Sequence, residues 1–284
     1  MSLRLMAVHP HPDDETIATG GTLARYVAEG AEVVLVTCTL GEVGEISDPA
    51  LASPENLSQV RAAELAAACA ILGVREHHVL GYRDSGMAGT PDNDHPASFH
   101  RADLDEAAGR LVALIRRFRP QVVVGDNEHG TYGHPDHIKA NRVTVAAFHA
   151  AGDPARYPEH GLDPWQPLKL YFTAVPRSRF AAMAPRMAEL GLPVPEQRPD
   201  TVERPFGTPD ELVTTALDVS AYAPTKHRAL HAHRTQLGTL GFFTAIPLEH
   251  WPEFFGTEYF QRVACLVSAP DREHDLFAGL RSSI

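Results

Sequence analysis

Two apolar runs of strand length, residues 3–8 and 33–39, flank a stretch with helical periodicity at 22–29 that Gly30 closes. Strand, helix and strand in so short a span form a βαβ unit. Parallel neighbours need a crossover of this kind, and the sheet they make must be covered by helices on its faces. The alternation then repeats, with a helical pattern over 57–72 stopped by Gly73, a short strand at 78–80, a helix over 104–118, a strand at 122–125 and a helix over 135–150. Residues 1–150 are therefore expected to form a Rossmann-like α/β core, a mainly parallel sheet with helices on both faces.

From Gly152 onward the pattern changes, because prolines such as Pro154, Pro158, Pro164, Pro167, Pro176 and Pro185 interrupt it. Strands are expected at 168–174 and 214–219, and helices at 180–190 and 224–233, with no internal repeat. Residues 151–284 are read as a Pro-rich extension that covers the site and completes the same domain.

Charge narrows the partners. The chain has 25 Lys+Arg against 36 Asp+Glu, a formal net charge of -11, and no basic cluster that would grip nucleic acid or an anionic membrane. The start, MSLRLMAVHPHPDDE, has neither the apolar length of a membrane span nor the pattern of a secretory signal, so a cytoplasmic protein is expected. Cys38, Cys69 and Cys265 are odd in number, far apart and set in apolar stretches, which speaks against disulfides or a thiolate metal site.

Two polar clusters fall at the carboxyl ends of expected strands, where open parallel sheets bind ligands. His9-Pro10-His11-Pro12-Asp13-Asp14-Glu15 follows the first strand, and Tyr132-Gly133-His134-Pro135-Asp136-His137 follows the strand at 122–125 and opens a helix. Taken singly, the first could be a charged turn that caps a helix, and the second an ordinary helix start with Pro135 in its first turn. Three consecutive acids beside two histidines repel one another unless a cation offsets them, which favours a metal. His11, Asp14 and His137 make a complete triad for zinc with room for water, and the same donors suit iron(II). Asp13 is then left free to take a proton from that water.

The segment HPHPDDETIATGGTLARY, with Gly41-Glu42, RDSGMAGT at 83–90 and GTYGHPDH at 130–137, resembles the LmbE/PIG-L family of zinc-dependent N-acetylglucosaminyl deacetylases. Within that family the chain is most similar to mycothiol-pathway members, and the first half carries the likeness. The resemblance implies hydrolysis of the acetamide of an N-acetylglucosaminide such as N-acetylglucosaminyl-inositol, with His11, Asp14 and His137 on zinc and Asp13 as general base. It also implies that His134, oriented by Asp136 and made more basic by it, stabilises the oxyanion or protonates the amine, that Tyr132 assists, and that Arg61, Asp84 and Glu42 bind the sugar and its aglycone. The implied partner is a small amino sugar, with self-association left open.

Two departures bear on the substrate. The loop at 126–132 differs from that of mycothiol deacetylases, and the conjugate amidases carry a lysine where this chain has Ala18. Ala18 favours a deacetylase over a mycothiol S-conjugate amidase, while an N-acetylglucosaminyl-malate deacetylase stays open. A sugar- or nucleotide-binding module without catalysis is the rival of another class. It lacks sequence support, because neither GxGxxG nor GxxxxGK[ST] occurs, and no GxSxG elbow suggests a serine hydrolase.

Overall fold

The computed structural model describes residues 2–194 and 206–281. Its central strand, β1 (Arg4–His9), sends Met6 and Val8 into one hydrophobic layer and Leu5 and Ala7 into another. A strand apolar on both faces must be covered on both. β1 is followed by α1 (Asp14–Ala28), β2 (Glu32–Thr39), α2 (Leu57–Leu72), β3 (Glu76–Tyr82), α3 (Leu104–Phe118), β4 (Val122–Gly125), the single turn α4 (Gly130–Gly133) and α5 (Pro135–Ala150). α3 and α5 pack on the Met6/Val8 layer, and α1 and α2 on the Leu5/Ala7 layer. Helices thus cover both faces, as the alternation requires.

The second half adds β5 (Lys169–Ala174), α6 (Arg177–Glu189), β6 (Thr215–Asp218), α7 (Ala223–Leu230), α8 (Gly241–Thr244), α9 (Trp251–Phe255) and β7 (Thr257–Cys265). One seven-stranded sheet results, in the order β3-β2-β1-β4-β5-β7-β6. The first five strands in that order pair in parallel, and β7 pairs antiparallel with both β5 and β6. Leu230, Ile246, Trp251, Phe254 and Phe255 form a further apolar cluster on this side. Among the described residues no helix is long and apolar enough to cross a membrane. The three cysteines are unpaired.

Beyond the short helices α4, α8 and α9, which the sequence does not announce, two elements differ from expectation. α1 begins at Asp14, not at residue 22, because Asp14 and Glu15 suit the positive end of the helix dipole and Gly20-Gly21 does not break the helix. Gly21 is there for close packing: a Cβ on it would lie 2.5 Å from Val219 Cγ2. β7 is not foreseen, since its alternation is interrupted by charge. Its buried Glu258 accepts Lys226 Nζ at 2.7 Å and the amides of Gly21 and Thr22 at 2.9 and 2.8 Å.

Lys226 and Glu258 are 3% and 4% exposed, so removing one partner strands the other. Lys226→Met is expected to cost about 3–5 kcal/mol in urea unfolding. The double variant Lys226→Met, Glu258→Gln should recover part of that loss, and a single variant as stable as the parent would refute the pair's role.

Candidate metal centre

The strand order reverses between β1 and β4, and in open α/β sheets the crevice beyond that switch point is where ligands bind. Because these two strands are paired, the loop from β1 to α1 and the segment from β4 to α5 lie side by side. The segment after β3 reaches the same place, as Ser85 donates its amide to Asp136 Oδ2 at 2.9 Å and its hydroxyl to Asp136 Oδ1.

Asp14 Oδ2 is the focus. It accepts the His11 amide at 3.0 Å and lies 3.4 Å from His11 Nδ1 and 3.5 Å from His137 Nε2. One donor atom from each of His11, Asp14 and His137 lies within 4.8 Å of the others. Donors bound at about 2.0–2.2 Å to a tetrahedral ion stand about 3.3–3.6 Å apart, so the 3.4 and 3.5 Å separations fit such an ion. The far nitrogen of each ring is also held. His137 Nδ1 is bonded to Asp126, and His11 Nε2 lies 3.2 Å from Asp136 Oδ2 and 3.5 Å from Asp84 Oδ1. Carboxylates behind histidine ligands fix the ring orientation and raise its basicity.

The electrostatics favour positive charge here. Burial opposes protonation of His11, yet Asp84 and hydrogen bonds to Asp136 and Asp14 carry its pKa well above the ordinary value. His137 is raised against burial by Asp14 and Asp126. Burial would raise Asp14, but His137 and His11 hold its carboxyl well below the usual range. A cluster that stabilises added positive charge so strongly is suited to a divalent cation.

Asp13 faces other partners. Its carboxylate lies 3.4 Å from Arg61 Nη2 and its amide donates to Glu15 Oε2 at 2.9 Å. Its backbone has φ 109° and ψ -33°, a conformation that costs a residue with a side chain about 1–3 kcal/mol. Burial pushes its carboxyl up to about 6, against the pull of Arg61.

His134 corrects one expectation. It caps α5, its Nδ1 accepting the Asp136 amide at 3.1 Å, while the Asp136 carboxylate is committed to His11 and Ser85. The pull of that carboxylate on the His134 ring is outweighed. Burial, then His11 and His137, lower its pKa to about 4. With Nδ1 accepting, the ring proton sits on Nε2, and His134 is a neutral donor whose ring meets His11 edge-on at 4.7 Å.

Tyr132, 46% exposed, follows Thr131 at φ 58° and brings its hydroxyl within 3.2 Å of His137 Nε2. Burial around the phenol keeps it protonated by raising its pKa. Arg61, by contrast, is buried beneath the loop. Its Nη1 donates to Gly41 O at 3.2 Å and its Nη2 to Pro12 O, so it faces Asp13 and its loop. Glu42 accepts the Asp84 amide at 2.8 Å, and Asp84 Oδ1 accepts the Gly86 amide at 2.8 Å.

Asp126, Glu15 and His233 join the site although the sequence assigns none of them a role. Asp126 stands directly after β4, a position that could have flagged it. Glu15 sits inside the first cluster but had no assigned task. His233, whose Nε2 lies 2.8 Å from Glu15 Oε1, gave no signal.

The comparisons with known proteins bear on this geometry. A family profile described as GlcNAc-PI de-N-acetylase, PIG-L, matches residues 6–148. A Geodermatophilus obscurus protein named 1D-myo-inositol 2-acetamido-2-deoxy-alpha-D-glucopyranoside deacetylase is 48% identical, with 98% of each chain covered. A Thermobifida fusca protein of the same name is 49% identical over 97% of this chain and 99% of its own. The fold is similar to that of N,N'-diacetylchitobiose deacetylase from Pyrococcus horikoshii, with a TM-score of 0.64 and 19% identity over 93% of this chain and 84% of that one.

The raised pKa of Asp13 predicts a stability effect. In the folded chain it keeps its proton to about pH 6, against the ordinary 3.8. Between those values the folded state binds more protons than the unfolded one, so this residue makes stability fall as pH rises, and its full cost is felt above the folded value. Metal-free Asp13→Asn should therefore be roughly 1–3 kcal/mol more stable than the parent at about pH 7. The gain should vanish as pH drops through 3.8. Urea unfolding in chelator across this range checks it, and a variant less stable at neutral pH contradicts it.

Proposed function

The chain belongs to the GlcNAc-PI de-N-acetylase family, and from that premise we propose that it is a zinc-dependent deacetylase acting on 1D-myo-inositol 2-acetamido-2-deoxy-alpha-D-glucopyranoside, releasing acetate and the free amine. Both relatives named above carry that activity in their names. The observation that carries the reading is the division between adjacent carboxylates, Asp14 on the two histidines and Asp13 on Arg61. Binding alone needs no second carboxylate held apart in a strained turn, whereas hydrolysis needs a base beside the metal donors.

His11, Asp14 and His137 would hold the ion, and iron(II) is the alternative that these donors accept. When bound, the ion polarises the acetamide carbonyl and lowers the pKa of water toward about 7. Asp13 takes the proton of the attacking water, and the Arg61 guanidinium keeps its carboxylate oriented. His134 presents Nε2–H to the carbonyl oxygen as that oxygen gains charge, a task for a neutral donor. Tyr132, on the exposed loop, offers its hydroxyl to the same region. As its proton departs to the leaving amine, Asp13 returns to the carboxylate. On this reading the enzyme acts in the cytoplasm on a small soluble amino sugar.

His11→Ala, Asp14→Ala and His137→Ala should lose metal and activity together, whereas Asp13→Asn should keep its metal while kcat falls roughly 10²–10⁴-fold. Elemental analysis beside an amine-release assay checks this, and metal loss in Asp13→Asn would reverse the two aspartates. In the parent enzyme kcat/KM should fall as pH drops and Asp13 takes up its proton.

The substrate is tested side by side. N-acetylglucosaminyl-inositol should show a higher kcat/KM than a bulky mycothiol conjugate, because Ala18 leaves no cation at that position for the polar end of a large acyl group. A conjugate that proves the better substrate makes the chain an amidase.

A further inference from the structure

The turn after α7 reaches back to the loop between β1 and α1. His233 in that turn is fully buried, with Nε2 2.8 Å from Glu15 Oε1, and its Nδ1 is buried without a hydrogen-bond partner. Glu15 is equally buried. Its Oε1 also accepts Thr16 Oγ1 at 2.6 Å, and its Oε2 accepts the Asp13 amide at 2.9 Å. The turn is anchored separately from this contact. Glu64 on α2 accepts the amide and hydroxyl of Thr235 at 2.8 and 2.7 Å, and Gln236 Nε2 donates to Glu45 O at 3.0 Å.

Two features call for a reason. A buried imidazole with one unpartnered nitrogen is a poor choice for stability alone, since an unmet polar atom carries a desolvation penalty. Asp13 holds a backbone conformation that an aspartate does not adopt unless its surroundings impose it. The hydrogen bonds connect the two features in a line, from the His233 ring through the two oxygens of Glu15 to the Asp13 amide.

We propose that His233 is a positioning residue for Asp13, acting through Glu15. The imidazole fixes the Glu15 carboxylate, and that carboxylate holds the Asp13 amide and keeps the turn in the left-handed region. So held, the Asp13 side chain meets Arg61 while Asp14 meets His11 and His137. A residue of the Pro-rich second half thus sets the aim of the base supplied by the first. The kinetic part rests on the reading of Asp13 as general base given above.

The test uses the full chain with its metal. His233→Ala and Glu15→Ala are expected to lower kcat roughly 10–10²-fold, the scale of a misaligned catalytic group, with KM and metal content unchanged. His233→Gln keeps a donor for Glu15, and Glu15→Gln keeps an acceptor for the Asp13 amide, so both should recover most of the rate. Amide hydrogen exchange at Asp13, followed by NMR, supplies a readout independent of turnover. It should speed up in the two alanine variants and stay near the parent in the two glutamine variants. Unchanged exchange in His233→Ala overturns the proposal, as does a kcat loss that tracks metal loss or that glutamine fails to rescue. If the parent releases no amine from any N-acetylglucosaminide, the deacetylase reading falls, and the exchange data still decide whether His233 holds the turn.

Discussion

Parallel pairing of β1 with β4 is the constraint on which the site depends. The register Leu5 to Val122, Met6 to Val123 and Ala7 to Val124 sets the carboxyl ends of the two strands side by side. His11 and Asp14 come from one side of that boundary, and Asp126, His134 and His137 from the other. Without this pairing the Asp14 carboxylate would have no His137, and neither loop alone supplies three donors. The apolar residues of β1 serve both hydrophobic layers, so the strand that places the first loop is fixed by packing on both of its faces.

Buried charge ties the elements of the second half to one another, and Glu258 also reaches α1 through the amides of Gly21 and Thr22. Tyr171, Leu217, Val219 and Phe260 pack into the Leu5/Ala7 layer, and buried ion pairs add to that packing. Lys169 on β5 meets Glu273 at 2.5 Å, with Tyr171 also donating to Glu273 at 2.7 Å, and Lys226 on α7 meets Glu258 on β7. Such pairs are costly to break and specific in geometry, so they fix position more than they add net stability. The candidate metal centre likewise gathers a strained aspartate and several buried acids at the expense of stability.

Much of this was legible in the residues. The helices at 57–72, 104–118 and 135–150 and the strand at 122–125 occur where the residues place them, with Gly73, Asp103, Pro135 and Gly125 marking their boundaries. The convergence of His11, Asp14 and His137 followed from placing two polar loops at strand ends. β7 was hidden because Glu258 occupies one of its inward positions, which no single-sequence pattern reads as strand. The basicity of His134 was misjudged because HPDH gives no hint that the Asp136 carboxylate turns to His11 while only its amide meets His134. His233 was invisible for a different reason: its partner lies 218 positions away in the chain, and only the folded sheet brings them together.

On the reading proposed above, one ion is expected among His11, Asp14 and His137. A second set of donors, His11, His134 and Asp136, shares the crevice and competes for the same role. Anomalous diffraction at the zinc edge from crystals of the zinc-loaded protein separates the two. A single peak is expected, bounded by His11 Nδ1, an Asp14 oxygen and His137 Nε2, with the His134 ring outside the coordination sphere. A peak bound by His134 and Asp136, or a crevice that takes up no zinc at all, would contradict it.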